Sequence, residues 1–146
     1  LGLSGVHVLE PSGTDAQGRE YGLIRAGTVP LATLPDFAAQ VKAVLGCEGL
    51  RYADGGRPVR RVAVGGGACG GAIDAVLAHG CDTLVTADLK YHEFADAPYL
   101  GLNLIDAGHF QTENPVCRRL ARLISTAFPA LSVTQSEAHG DKIHFL

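Results

Sequence analysis

The sequence contains no methionine and no tryptophan, and its four cysteines, Cys47, Cys69, Cys81 and Cys117, form no C-x-x-C pair. Without an initiator residue, the chain is expected to be a portion of a longer polypeptide. Scattered cysteines point to neither a zinc knuckle nor a disulfide framework, and they fit a reducing compartment. No apolar run is long enough for a membrane span, and the first residues lack the basic, apolar, small-residue order of a signal peptide. Strong charge is lacking too. The formal net charge is −3, and the arginine pairs Arg60 with Arg61 and Arg118 with Arg119 stand apart, which gives no electrostatic footprint for nucleic acid. The expectation is a cytoplasmic chain with neither membrane nor nucleic acid among its partners.

What is present suits one domain: 146 residues, 47% of them hydrophobic, can bury a core. Residues 1–29 read as N-terminal strands and a polar loop, with strand candidates at 6–9 and 21–29. Residues 30–146 read as an α/β core. A helix from residue 34 places Leu34, Phe37, Val41, Val44 and Leu45 on one stripe, and Gly46 stops it. Residues 50–53 and 61–64 are strand candidates, the second running into a glycine-rich turn and a helix over 72–78. Strand and helix then alternate through a strand at 83–86, a helix at 91–100 and a strand at 102–106, to a long helix from about Thr112 to Phe128 with Pro115 in its first turn. Residues 131–135 and 142–146 are expected as closing strands, antiparallel around His139 and Gly140. This alternation predicts a mainly parallel sheet with helices on both faces.

The residues that carry chemistry concentrate between Leu84 and Glu113. In a parallel α/β sheet the ligand crevice lies at the carboxyl ends of the strands. Asp88, Lys90, His92, Glu93, Asp106, His109 and Glu113 are therefore expected along one rim. His109 and Glu113 form the sharpest pair, because a spacing of four on a helix sets an imidazole beside a carboxylate. Such a pair offers a metal two donors, and a metal site needs more. Sequence chemistry leaves His109 balanced between ligand and ordinary helix-start histidine. His7, His79, His139 and His144 read as surface or hydrogen-bonded residues, and His92 as a capping or supporting group.

Gly65, Gly67 and Gly70 satisfy G-x-G-x-x-G between a strand and a helix, and Asp88 follows the next strand, as a ribose-binding acid would. In so glycine-rich a run the pattern is weak evidence. A tight strand-to-helix turn, where small residues let a helix pack close, is the favoured reading, and no cofactor-binding residue is assigned. Anion binding at the helix N-terminus stays open. Cys69 ranks low as a nucleophile, since no histidine is near it in sequence.

Two blocks are specific together: T-x-D-x-K-Y-H-E (Thr86, Asp88, Lys90, Tyr91, His92, Glu93) and D-A-G-H-x-x-T-E (Asp106, Ala107, Gly108, His109, Thr112, Glu113). From about Gly22 to its end the chain resembles the C-terminal lobe of the Ngg-interacting-factor-three-like family, described as hexameric dinuclear-metal-centre proteins and labelled type-two GTP cyclohydrolase one. The resemblance implies that His109 and Glu113 are metal ligands, with Asp88, Lys90, Tyr91, His92, Glu93 and Asp106 supporting them or lining the pocket. His92 and Asp106 are the expected groups to orient His109. It further implies two divalent ions, zinc, manganese or iron, per full-length subunit. Self-association as a homohexamer or dimer and a small-molecule nucleotide substrate follow from it as well. The family's remaining ligands come from an N-terminal lobe with a His-His-Pro block, and this chain has no adjacent histidine pair. This lobe alone is thus expected to bind metal weakly. The implied activity is metal-dependent hydrolysis of the GTP cyclohydrolase kind. The alternatives are a non-enzymatic ring-forming scaffold with a structural metal, and a nucleotide-binding module using the glycine loop.

Overall fold

In the computed structural model, which describes residues 1–146, adjacent residues of three central strands point to opposite faces and enter two separate cores. Ala63, Leu84 and Leu104 pack on one face, and their neighbours Val62, Val85 and Ile105 on the other. The strands and helices that produce this are β1 (Ser4–Val8), β2 (Gly13–Thr14), β3 (Glu20–Tyr21), β4 (Arg25–Ala32), α1 (Leu34–Leu45), β5 (Arg51–Ala53) and β6 (Val59–Ala68) in the first half. A single 3-10 turn, Gly70–Ala72, then leads into α2 (Ile73–Ala78), β7 (Thr83–Ala87), α3 (Tyr91–Leu100), β8 (Asn103–Asp106), α4 (His109–Glu113) and α5 (Pro115–Ala127).

Six strands form one sheet in the order β1-β4-β6-β7-β8-β5, while β2 and β3 make a separate ribbon. β6, β7 and β8 run parallel; β4 pairs antiparallel with β6 on one side and with β1 beyond it, and β5 pairs antiparallel with β8 on the other. The α/β class predicted from the alternation is the class that folds, and its parallel part is the centre of the sheet. β7 is buried along its whole length, as a strand covered on both faces must be. Ile73 and Val76 of α2 and Ala97 of α3 cover one face, and Phe37, Ala38 and Val41 of α1 the other. Burying a side chain such as Leu84 or Phe37 contributes about 1.5–3 kcal/mol, so truncating either would open a cavity in the layer it joins.

α1 shows why these elements end where they do. Thr33 accepts the Asp36 N–H at 3.3 Å and donates its hydroxyl to the Asp36 carboxylate at 2.7 Å, which satisfies a free donor of the first turn. At the other end Gly46 turns left-handed at φ 68°, which glycine adopts without penalty.

Two expectations about the C-terminal third fail. The long helix begins at His109 instead of Thr112, and it is interrupted at Asn114, because Pro115 has no N–H to continue the hydrogen-bond ladder. The strands expected at 131–135 and 142–146 do not form. Residues 128–146 run without helix or strand, and Leu131, Ile143 and Phe145 remain exposed. An isolated two-stranded hairpin is marginal in water, and this segment joins neither edge of the sheet. No helix is long and apolar enough to cross a membrane.

Candidate functional site

The parallel centre of the sheet brings the ends of β6, β7 and β8 side by side, and α4 crosses over them. The approach of α4 is close because β6 ends in glycine. A Cβ on Gly66 would lie 3.2 Å from the Thr112 carbonyl oxygen, and one on Gly67 would lie 2.3 Å from Glu113 Oε1. Gly67 also adopts φ +67°. This end of β6 is tied down by two threonines: the Gly67 N–H donates to Thr112 Oγ1 at 3.0 Å, and Thr86 Oγ1 donates to the Gly67 carbonyl at 2.8 Å while accepting the Cys69 N–H at 3.0 Å. The glycine run therefore acts as a saddle for α4; Gly65–Gly67 extend β6 and do not form the tight turn into the helix at 72–78 that the sequence favoured.

On this saddle three side chains meet. His109, the first residue of α4, places Nδ1 2.6 Å from Asp88 Oδ2 and Nε2 3.2 Å from Glu113 Oε1. The hydrogen bond to Asp88, then the charge of Glu113, raises the His109 imidazole above its ordinary range. All three side chains are about half exposed, with relative accessibilities of 48% for His109, 51% for Asp88 and 55% for Glu113. Asp88 reaches His109 from an unusual backbone position, φ +55°, the one non-glycine residue of the chain in the left-handed region. Aspartate tolerates that region better than most residues, at about 1 kcal/mol or more.

Bonds of about 2.0–2.2 Å to one ion place two donors roughly 3–3.5 Å apart, and His109 Nε2 and Glu113 Oε1 have that separation. A neutral ring that donates from Nδ1 to Asp88 would leave its Nε2 lone pair facing Glu113. In kind the donors suit a divalent ion such as zinc, manganese or iron. In number they fall short: Asp88 lies on the opposite ring nitrogen, and no group of three or more His, Cys, Asp or Glu side chains is arranged to hold one ion.

The other rim residues are close in sequence but serve different ends. Asp106 is buried and fully engaged: its carboxylate accepts from the Arg51 guanidinium, from the Leu89 N–H at 3.1 Å and from the Gly108 N–H at 3.1 Å. It shapes the two turns beside the site and does not touch His109. Glu93 accepts the Lys90 N–H at 2.6 Å and starts α3, while Lys90, Tyr91 and His92 are exposed. The expectation that His92 and Asp106 orient the imidazole is thus corrected: Asp88 does so, because it alone has an oxygen in reach of Nδ1. Arg51 escaped the sequence reading entirely. It sits on an edge strand far from the motif blocks, 5.2 Å over the ring of Phe94, and only the fold joins it to Asp106. Cys69 is buried with its thiol against the Gly66 carbonyl, and burial pushes the Cys47 and Cys81 thiols up, so only Cys117 is exposed.

Fold and site together define a mixed α/β domain with a carboxylate–histidine–carboxylate cluster at the carboxyl ends of its parallel strands. The chain belongs to the Duf34/NIF3 (NGG1p interacting factor 3) family, whose model matches residues 1–142. It is 37% identical over 124 residues to a GTP cyclohydrolase 1 type 2 homolog of Nostoc, covering 82% of this chain and 45% of that protein. A protein of the same name from Deinococcus radiodurans is 38% identical over 121 residues, with the same shares. Among solved structures, a hypothetical protein of Staphylococcus aureus superposes with a TM-score of 0.79 at 30% identity, over 86% of this chain and 44% of its own. A Bacillus cereus protein related to NIF3 gives 0.74 at 32% identity, over 88% and 37%. The chain therefore spans less than half the length of these relatives.

Proposed function

We propose that this chain is the C-terminal, metal-binding lobe of a two-lobe, metal-dependent hydrolase-like protein, with His109 and Glu113 as its contribution to a dinuclear centre. The observation that carries the reading is the 3.2 Å approach of His109 Nε2 to Glu113 Oε1 with the opposite ring nitrogen already engaged by Asp88. The shortfall of donors and the half-exposed cluster support completion of the site by ligands from outside this chain. When bound, such ions supply an activated water for attack on a heterocycle or a phosphate. The chain's own part is to hold two donors at the correct separation and keep a ring proton on the far side of the imidazole. The relatives' names support GTP as the candidate substrate, and opening of its imidazole ring as the reaction.

Self-association into a dimer or a closed ring belongs to the same proposal. Val116, Leu120, Leu123 and Ile124 lie on one side of α5 and are all more than 40% exposed, a run of apolar surface of the kind that marks an interface. This face also favours the second reading, a non-enzymatic ring-forming scaffold with a structural metal. A turnover assay with GTP on metal-loaded protein of the relatives' full length separates the two. Metal-dependent product formation that is lost in His109→Ala supports the hydrolase. Stoichiometric metal without turnover supports the scaffold.

A further inference from the structure

Asp88 combines two properties that the turn after β7 does not require of it. Its backbone is left-handed at φ +55°, where glycine would be relaxed. Its side chain contributes nothing to closing that turn, which is pinned by other groups: the Leu89 N–H on Asp106 at 3.1 Å and the Ala107 N–H on the Thr86 carbonyl at 2.9 Å. What the side chain does is point Oδ2 at His109 Nδ1, 2.6 Å away. A strained position kept by a residue whose one side-chain hydrogen bond goes to a ring nitrogen suggests a role at that nitrogen.

The ring itself is contested by two carboxylates. Asp88 holds Nδ1 at 2.6 Å, while Glu113 stands 3.2 Å from Nε2. A neutral imidazole has one proton to give, and the nitrogen making the stronger hydrogen bond keeps it. With Asp88 present the proton stays on Nδ1, and the Nε2 lone pair is left toward Glu113. Without it Glu113 is the sole acceptor beside the ring, and the proton moves to Nε2, where it blocks that lone pair.

We propose that Asp88 is a positioning residue that selects the Nδ1–H tautomer of His109 and so keeps Nε2 available to a metal ion. This rests on the metal-binding reading above, but its first test does not. Long-range proton–nitrogen NMR spectra of the 15N-labelled chain, recorded at a pH where His109 is neutral, report which ring nitrogen carries the proton. The wild-type chain is expected to show Nδ1–H. Asp88→Gly, which relieves the backbone and should leave the melting temperature close to wild type, is expected to show Nε2–H. Asp88→Asn, whose amide oxygen can still accept from Nδ1, is expected to restore Nδ1–H. Zinc titrations followed on the same ring signals should then be weaker by about 10–100-fold in Asp88→Gly. Retention of Nδ1–H in Asp88→Gly would overturn the inference, as would a tautomer change with no loss of zinc affinity. Ring signals that ignore zinc in the wild-type chain would count against the metal reading alone, and the tautomer comparison would still decide the role of Asp88.

Discussion

Gly67 and Glu113 are fitted to one another: a Cβ on Gly67 would stand 2.3 Å from Glu113 Oε1, inside the space the carboxylate occupies. Gly67→Ala is expected to destabilise the chain by about 1–2 kcal/mol through its left-handed backbone. It should also push Glu113 away from His109. Urea unfolding measures the first effect, and loss of the response of the His109 ring to zinc measures the second. An alanine variant with unchanged stability would mean that the saddle under α4 yields more readily than its geometry implies.

Asp106 lies in the same motif block as His109 yet performs a structural task. Removing its carboxylate orphans the buried Leu89 N–H and frees the Gly108 N–H and Arg51, at an expected cost of about 2–3 kcal/mol. Asp106→Ala should thus lower the urea midpoint markedly. Asp106→Asn, which keeps an acceptor oxygen, should lower it less. Equal losses in both variants would show that charge, and not hydrogen bonding, holds these turns.

Much of this arrangement was legible in the sequence because it is local. The i,i+4 relation of His109 and Glu113, the helix stop at Gly46 and the order of strands and helices follow from short-range periodicity and turn chemistry. What escaped depends on the sheet. Strand order brings Arg51 to Asp106 and Asp88 to His109, and no spacing announces either contact. The closing strands failed for the converse reason: alternating apolar residues near Leu131 and Ile143 satisfy a strand pattern, but a strand also needs an edge to join. The extension of β6 through its glycines was hidden as well, since a glycine run reads as a turn, and only the pairing of Ala68 with Ala87 beyond a register shift shows the strand continuing.

The pH dependence of the cluster has a definite sign. The Asp88 hydrogen bond and the Glu113 charge raise the His109 imidazole, so its protonated form stabilises the metal-free fold. That contribution is fully present below the unfolded imidazole value of about 6.5 and is lost as pH rises through the higher folded value. Zinc competes with the same proton, so its apparent affinity should increase as pH rises across this window. NMR titration of the His109 ring is expected to give a midpoint above 6.5. A midpoint at or below that value would mean that the two carboxylates do not act on the ring in solution.

If His109 and Glu113 are two donors of a metal site completed outside this chain, calorimetric titration of zinc into the 146-residue chain has a definite outcome. Weak binding is predicted, abolished by either His109→Ala or Glu113→Ala and unchanged by His139→Ala. Tight, stoichiometric uptake of two ions by the chain alone, or binding that survives loss of both His109 and Glu113, would contradict it.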